Sequence, residues 1–131
     1  MAMTTAPAAA KKDMALVGLR TALNILAKWK TSTEQAGNIL RVSRSTISRA
    51  RTDKAVSLDE DQLKRVSLVL NIHSALRMLF DNPANVYGFM QMENHNEFFN
   101  GRSPMDVVQG GDMIALYETF RRIDSLRGAQ W

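Results

Sequence analysis

The sequence contains no cysteine, which excludes a disulfide framework and any thiolate that could bind zinc or an iron–sulfur cluster or act as a nucleophile. A reducing cytoplasm fits this composition. No apolar run approaches the ~20 residues of a membrane-spanning helix, so we expect no membrane association. Near the start, Lys11 and Lys12 follow the apolar residues, the reverse of a secretory signal. We therefore expect a cytoplasmic protein.

Patterns typical of catalysis are also missing. The two histidines, His73 and His95, have no second metal ligand at a suitable spacing. The sequence has no phosphate-binding loop, no glycine elbow around a serine and no H-E-x-x-H motif. The acidic run from Asp59 to Asp61 is explained by its place at the start of a helix, where negative charge is favourable. We expect no enzymatic activity, no cofactor and no metal site.

Charge is divided unevenly between the two halves of the chain. Residues 1–56 contain ten Lys and Arg and three acids, a net charge of +7, and residues 57–131 contain seven Lys and Arg and ten acids, a net charge of −3. The sum is the overall +4. A basic first half predicts a polyanion as its partner, and the acidic second half predicts a different one. A chance asymmetry of a solvated surface is the alternative.

Apolar residues recur at helical spacing along most of the chain, and no alternating β-branched run is present, so the sequence predicts an all-α fold. Residues 1–12 lack periodicity and predict a disordered tail. A helix follows with Met14, Val17 and Leu26 in its apolar stripe. Two short helices come next, the first capped by Ser32 or Thr33 and ending at Leu40, and the second running from Arg44 to about Arg51.

A long helix is predicted from the capping-box spacing of Ser57 and Glu60 to the stop at Asp81–Pro83, with Leu63 in its apolar stripe. Shorter helices are predicted for Ala84–Met92 and, after a polar loop, from Ser103 to Val108. Asp112 caps the last helix, on which Leu116, Tyr117, Phe120 and Ile123 share a face. We expect a DNA-binding domain over residues 13–80, which includes the long helix, and a second small helical domain over residues 81–131.

Residues 35–49 carry the strongest local signal. Gly37 is the small residue that two crossing helices need where they touch, Ile47 anchors the second helix, and Leu40 and Val42 fill the space beneath the turn. The second helix then leaves five side chains free for phosphates and base edges: Arg44, Ser45, Thr46, Ser48 and Arg49. An ordinary pair of surface helices is the alternative interpretation.

This stretch resembles the helix-turn-helix of the Xre (phage-repressor-like) family, in which V-S-R-S-T-I-S-R is a common sequence for the turn and the recognition helix. Arg41 stands where the family usually has glycine in the turn. A left-handed conformation would cost an arginine ~1 kcal/mol, so we expect a less regular turn.

The second half resembles the toxin-binding domain of the Xre/MbcA/ParS antitoxins through the order of its pieces: a small helix, Asn94, the sequence G-R-S-P at residues 101–104, Gly110-Gly111 and a closing amphipathic helix. The resemblance implies an antitoxin whose C-terminal domain covers the active-site entrance of a RES-domain, NAD-consuming toxin. It also implies a homodimer, a higher-order toxin–antitoxin complex, and binding of operator DNA by which the chain represses its own operon.

Five residues are candidates for toxin contact: Arg102, Tyr117, Arg121, Arg127 and Trp131. Arginine and tryptophan often dominate interfaces, and a mobile tail from Arg127 to Trp131 could enter a concave site. An inert, frayed terminus is the alternative for the tail, and Arg102 could instead hold its own loop. If the two activities lie in separate halves, a fragment that lacks residues 1–56 should still neutralise toxin.

Two other functions use the same parts. One is a helix-turn-helix transcription regulator whose C-terminal half only dimerises or senses a ligand. The other is a phage or chromosome-partition-like regulator. A reading frame for a RES-domain protein beside this gene would favour the antitoxin.

Overall fold

A 20-residue helix, Glu60–Leu79, packs against helices from both halves of the chain. The computed structural model describes the backbone of residues 8–129 and the side chains of residues 13–128. The helices are α1 (Ala8–Lys28), α2 (Thr33–Leu40), α3 (Arg44–Arg51), α4 (Glu60–Leu79), α5 (Pro83–Gly88), α6 (Pro104–Val108) and α7 (Met113–Ala129). No strand occurs in the described range, which confirms the all-α prediction.

Three element boundaries differ from the prediction. Helix α1 begins at Ala8, so residues 8–12 of the predicted tail are helical, as the high helix propensity of an alanine run allows; residues 1–7 lie outside the described range. The helix predicted for Ala84–Met92 is α5 followed by a single 3₁₀ turn, Phe89–Gln91. The last helix continues through Arg127 to Ala129.

The capping box of α4 lies two residues after the predicted one. Asp59 is the N-cap: its Oδ1 accepts from the backbone N–H of Gln62, and Gln62 Oε1 accepts from the backbone N–H of Asp59, each at 2.8 Å. The spacing D-x-x-Q thus replaces the overlapping S-x-x-E of Ser57 and Glu60. Gln62 also donates through Nε2 to the carbonyl of Arg41 at 2.7 Å, a contact that glutamate at this position could not make.

One hydrophobic core extends from α1 to α7. Helix α4 packs against both α1 and α7. The largest fully buried side chains include Leu26 and Trp29 of α1, Ile47 of α3, and Leu116 and Ile123 of α7. The predicted apolar stripes were wrong at three positions, because Met14, Val17 and Leu63 are exposed.

Arg65 of α4 joins the two halves of the chain. Its side chain is only 5% exposed, and its Nη1 donates to the carbonyls of Ile39, in α2, and Gly111, just before α7, at 3.2 and 2.7 Å. Its Nε donates to Asp61 at 2.9 Å, which pairs the buried charge. The end of α2 and the start of α7 are therefore fixed to the same guanidinium.

Two further contacts hold the halves together. Gln35 of α2 donates through Nε2 to Oε1 of Gln109, which follows α6, at 2.9 Å. Gly111 has φ of +83°, and a Cβ atom at this position would lie 2.3 Å from the carbonyl oxygen of Asn38. Only glycine permits this close approach of the loop to α2.

Candidate DNA- and toxin-binding surfaces

Helices α2 and α3 meet closely at Gly37. A Cβ atom on Gly37 would lie 3.0 Å from the carbonyl oxygen of Val42 and 3.7 Å from Cδ1 of Ile47, so the need for a small residue here is confirmed. Leu40, Val42 and Ile47 are buried as predicted. Ser32 caps α2 by accepting from the N–H of Gln35 at 3.0 Å.

The turn between these helices is regular, contrary to expectation. Arg41 adopts the left-handed conformation, with φ of 58° and ψ of 41°, which glycine usually supplies at the end of a helix. The N–H of Val42 donates to the carbonyl of Gly37 at 3.1 Å, and Gln62 donates to the carbonyl of Arg41. These bonds offset the steric cost of a left-handed arginine.

Helix α3 presents a polar outer face. Arg44, Ser45, Ser48 and Arg49 are exposed, as predicted. Thr46 is not free, because its Oγ1 accepts from the hydroxyl of Ser43 at 2.9 Å and its backbone N–H donates to Oγ of Ser43 at 3.0 Å. Ser43 is the N-cap of α3, so Thr46 helps to fix the start of the helix.

The arginines of α3 differ in how strongly the fold holds them. Arg44 makes no hydrogen bond or ion pair with any side chain or carbonyl in the described range. Arg49 donates through Nε to the carbonyl of Ala55 at 3.0 Å, which orients its guanidinium, and Arg51 reaches Thr33 Oγ1 at 3.5 Å. The acid Asp53 is engaged by Arg20 at 2.7 Å. Across the described residues, no carboxylate neutralises the arginines of α3.

The loop that precedes α6 is held by its own polar side chains. Asn94 Oδ1 accepts from the N–H of Asn96, and Asn96 Oδ1 accepts from the N–H of Phe99. Arg102 donates to the carbonyls of Phe99 and Phe98 at 2.8 and 2.9 Å. Arg102 therefore holds its own loop, and its contact with a toxin stays a prediction.

Helix α6 starts as predicted. Ser103 accepts from the N–H of Asp106, whose carboxylate accepts from the N–H of Ser103, and Pro104 occupies the first helical position. The loop is also joined to α7, since the guanidinium of Arg122 lies 5.2 Å from the centre of the Phe98 ring.

Helix α7 carries three of the predicted toxin contacts. Tyr117 is exposed, and Arg121, one turn later, is exposed and lies 3.5 Å from Glu118. Tyr117 and Met113 border an open groove whose other side is formed by Leu63 and Leu68 of α4.

The predicted mobile tail from Arg127 does not begin there. Arg127 lies in the last turns of α7, where its Nε donates to Asp124 at 2.9 Å and its Nη1 to Sδ of Met78 at 3.1 Å. These bonds to its own helix and to α4 hold the side chain in place. Trp131 lies outside the described residues.

Comparison with known families agrees with this architecture. Residues 8–71 match the antitoxin Xre-like helix-turn-helix domain, and residues 75–128 match the antitoxin Xre/MbcA/ParS C-terminal toxin-binding domain. The chain belongs to the Xre-type antitoxins. An uncharacterised protein of Sinorhizobium fredii (strain NBRC 101917 / NGR234), y4oB, is 27% identical over 111 residues, which is 84% of each chain.

Membership gives each surface a general role. The helix-turn-helix suggests DNA as one partner of this antitoxin, and the toxin-binding domain implies a toxin as the other. The two matched segments adjoin within α4, between residues 71 and 75. Within the part of the chain that the structure describes, no helix is long and apolar enough to cross a membrane, and no group of three acidic or histidine side chains is placed to hold a metal ion.

Proposed function

We propose that this antitoxin neutralises a RES-domain, NAD-consuming toxin by covering the entrance of its active site, and that it represses its own operon. The match of residues 75–128 to a toxin-binding domain is the observation that supports this proposal most directly. The RES class of toxin and the covered active site are carried over from the resemblance of residues 94–111 to the Xre/MbcA/ParS pattern. The proposed division into a DNA-binding domain, residues 13–80, and a toxin-binding domain, residues 81–131, also rests on these sequence resemblances.

On the DNA side, Arg44, Ser45, Ser48 and Arg49 contact phosphates and base edges in the major groove, while Thr46 fixes the start of the recognition helix. Their exposure on one short helix without neutralising carboxylates supports this assignment. Because one such helix reads one half-site, the antitoxin acts as a homodimer on an inverted-repeat operator.

On the toxin side, Tyr117 and Arg121 form the centre of the contact on α7. Both are exposed and lie one turn apart on the same face, and tyrosine and arginine are side chains that often dominate interfaces. Arg102 supports this surface by holding the loop before α6. Arg127 and Trp131 extend the contact at the end of the chain, within a higher-order toxin–antitoxin complex.

The antitoxin works by binding alone, in the cytoplasm, without catalysis or a cofactor. Its activity therefore depends on two affinities, one for the toxin and one for the operator.

Co-expression with the neighbouring reading frame, which this proposal requires to encode a RES-domain toxin, tests the proposal. We expect the wild-type chain to restore growth and cellular NAD, and the double variant Tyr117→Ala/Arg121→Ala to protect less while it binds the operator as before. Arg44→Ala is the matched control, because it should protect fully and bind the operator weakly. If the wild-type chain binds operator DNA but neither binds nor neutralises the toxin, the proposal is wrong and a transcription regulator that only dimerises or senses a ligand takes its place.

A further inference from the structure

Arg49 of α3 is held at its backbone and at its side chain by the loop that follows the helix. Its backbone carbonyl accepts from the N–H of Lys54 at 2.8 Å, and its Nε donates to the carbonyl of Ala55 at 3.0 Å. We name residues 52–59, between α3 and α4, the α3–α4 loop. This loop orients the guanidinium of Arg49 before any partner binds.

The α3–α4 loop is itself attached to the rest of the fold on both sides of Ala55. Before it, the N–H of Asp53 donates to the carbonyl of Ala50 at 3.2 Å, and the carboxylate of Asp53 accepts from Arg20 of α1 at 2.7 Å. After it, Val56 is only 4% exposed and belongs to the hydrophobic core. The carbonyl of Ala55 is therefore an acceptor whose position the fold sets.

The bond from Nε leaves the outer edge of the Arg49 guanidinium free. Its Nη1 and Nη2 make no hydrogen bond or ion pair with any group in the part of the chain that the structure describes. Two parallel N–H donors fit a pair of acceptors, either O6 and N7 of guanine in the major groove or two oxygens of a phosphate. Because the side chain is already oriented, it loses less entropy when it makes such a contact.

The position of Arg49 on α3 favours the base over the phosphate. The buried side chains of α3 mark its inner face. With about 100° of rotation per residue, Ser45 and Arg49 point away from that face, one turn apart, whereas Arg44 and Arg51 lie at its flank. When a helix lies in the major groove, the side chains opposite its inner face meet base edges and those at its flanks reach the phosphates. Arg49 is thus placed to meet base edges.

We propose that Arg49 reads one guanine in each operator half-site, with Nη1 and Nη2 donating to O6 and N7 while the carbonyl of Ala55 holds Nε. This inference rests on the proposed binding of an operator and deepens it, because it names the base that is read and the residue that reads it. The α3–α4 loop becomes part of the reading site, although it contacts no DNA in this arrangement.

Selection from a library of random-sequence DNA duplexes tests the assignment. We expect the full-length wild-type chain to select guanine at one position of each half-site, and Arg49→Ala to lose the preference at that position alone. Replacing this G·C pair by A·T in the selected duplex should weaken wild-type binding between about fivefold and about a hundredfold, and Arg49→Ala binding by less than about twofold. If Arg49→Ala instead weakens binding equally on both duplexes and lowers the salt dependence, Arg49 contacts phosphate and the proposal is overturned.

Two further variants test the role of the orientation. Arg49→Lys keeps the charge, but an ammonium group on a flexible stem cannot hold the carbonyl of Ala55 and two parallel acceptors in one plane, so it should discriminate less between the duplexes. Arg51→Ala is the matched control: it removes an exposed arginine from the flank of the same helix and should discriminate as the wild-type chain does. Circular dichroism should be the same for all these proteins, because the substituted side chains are exposed.

The outcomes separate this inference from the proposed function. Selection of the same guanine by Arg49→Ala, or full discrimination by Arg49→Lys, would overturn the inference and leave operator binding standing. A wild-type chain that binds duplexes without selecting any sequence would contradict repression through an operator, and the inference with it.

Discussion

Arginines in this antitoxin divide into those that hold the fold and those that face solvent. Arg65 is buried between α2 and the loop before α7, Arg102 closes its own loop, and Arg127 is paired on α7. Arg44 has no such partner in the described range. Sequence spacing identified the exposed arginines of α3 but gave no sign of Arg65, because its acceptors are backbone carbonyls 26 and 46 residues away.

The exposed arginines of α3 should control operator affinity. We expect Arg44→Ala to weaken operator binding by ~1–3 kcal/mol if it reads a base, and by less if it contacts phosphate. Arg49→Ala should also weaken binding, and it additionally releases the carbonyl of Ala55. Fluorescence anisotropy at two salt concentrations measures both, since loss of a phosphate contact also lowers the salt dependence.

Arg77→Ala is the matched control, because it removes one exposed cation from α4 instead of α3. Operator affinity that is unchanged in both α3 variants would exclude α3 as the recognition helix.

Stability should depend on pH through His73. Burial, assisted by the positive charges of Arg77 and Lys28, lowers the pKa of His73 below 6.5. The folded chain then binds fewer protons than the unfolded chain in the window just below pH 6.5, so the free energy of unfolding should rise with pH there. Urea unfolding at several pH values, with His73→Gln as comparison, should show a weaker dependence in the variant. An equal dependence in both proteins would contradict this environment for His73.

At the scale of single elements, local patterns predicted the helix starts well. The caps at Ser32, Ser103 and Asp112 are confirmed, because a capping side chain and the backbone N–H that donates to it lie within three residues. Helix α4 starts two residues later than predicted, because two capping patterns overlap there. The hydrogen bond from Gln62 to the carbonyl of Arg41 favours the box of Asp59 and Gln62 over that of Ser57 and Glu60. Exposure of Met14 and Val17 could not be predicted, since periodicity does not reveal which faces a neighbouring helix covers.

The loop before α7 supplies an element-scale prediction. Gly111→Ala should destabilise the chain by about 2–4 kcal/mol, because a Cβ atom would meet the carbonyl of Asn38 in α2 and the backbone conformation is left-handed. Gly110→Ala should have little effect, since nothing lies within 4 Å of its added Cβ. Chemical denaturation compares the two variants. Equal stabilities would show that the loop does not lie against α2.

At the scale of the whole molecule, the helical class and the family were predictable, but the joining of the halves was not. The basic first half and the acidic second half of the sequence suggested two separable activities. The structure has one continuous core, and Arg65, Gly111 and the pair Gln35–Gln109 connect the helix-turn-helix to the C-terminal segment. These contacts join residues far apart in the chain, so no local sequence pattern predicts them.

The continuous core changes the expected result of truncation. A fragment of residues 57–131 loses the α1 side chains Leu19, Leu26 and Trp29 that complete the core around α4, so we expect it to be largely unfolded and to protect poorly. Circular dichroism with denaturation measures this. A cooperative unfolding transition in the fragment would show that the C-terminal half folds alone.

The proposed function requires one folded chain to neutralise a toxin and to bind operator DNA through different surfaces. The decisive measurement is growth rescue from the co-expressed toxin of the neighbouring gene, with operator binding measured on the same purified proteins. We expect Arg44→Ala to rescue growth like the wild-type chain while its operator affinity falls, and Tyr117→Ala/Arg121→Ala to do the reverse. If the wild-type chain is folded and binds the operator but fails to rescue growth, the proposed function is wrong.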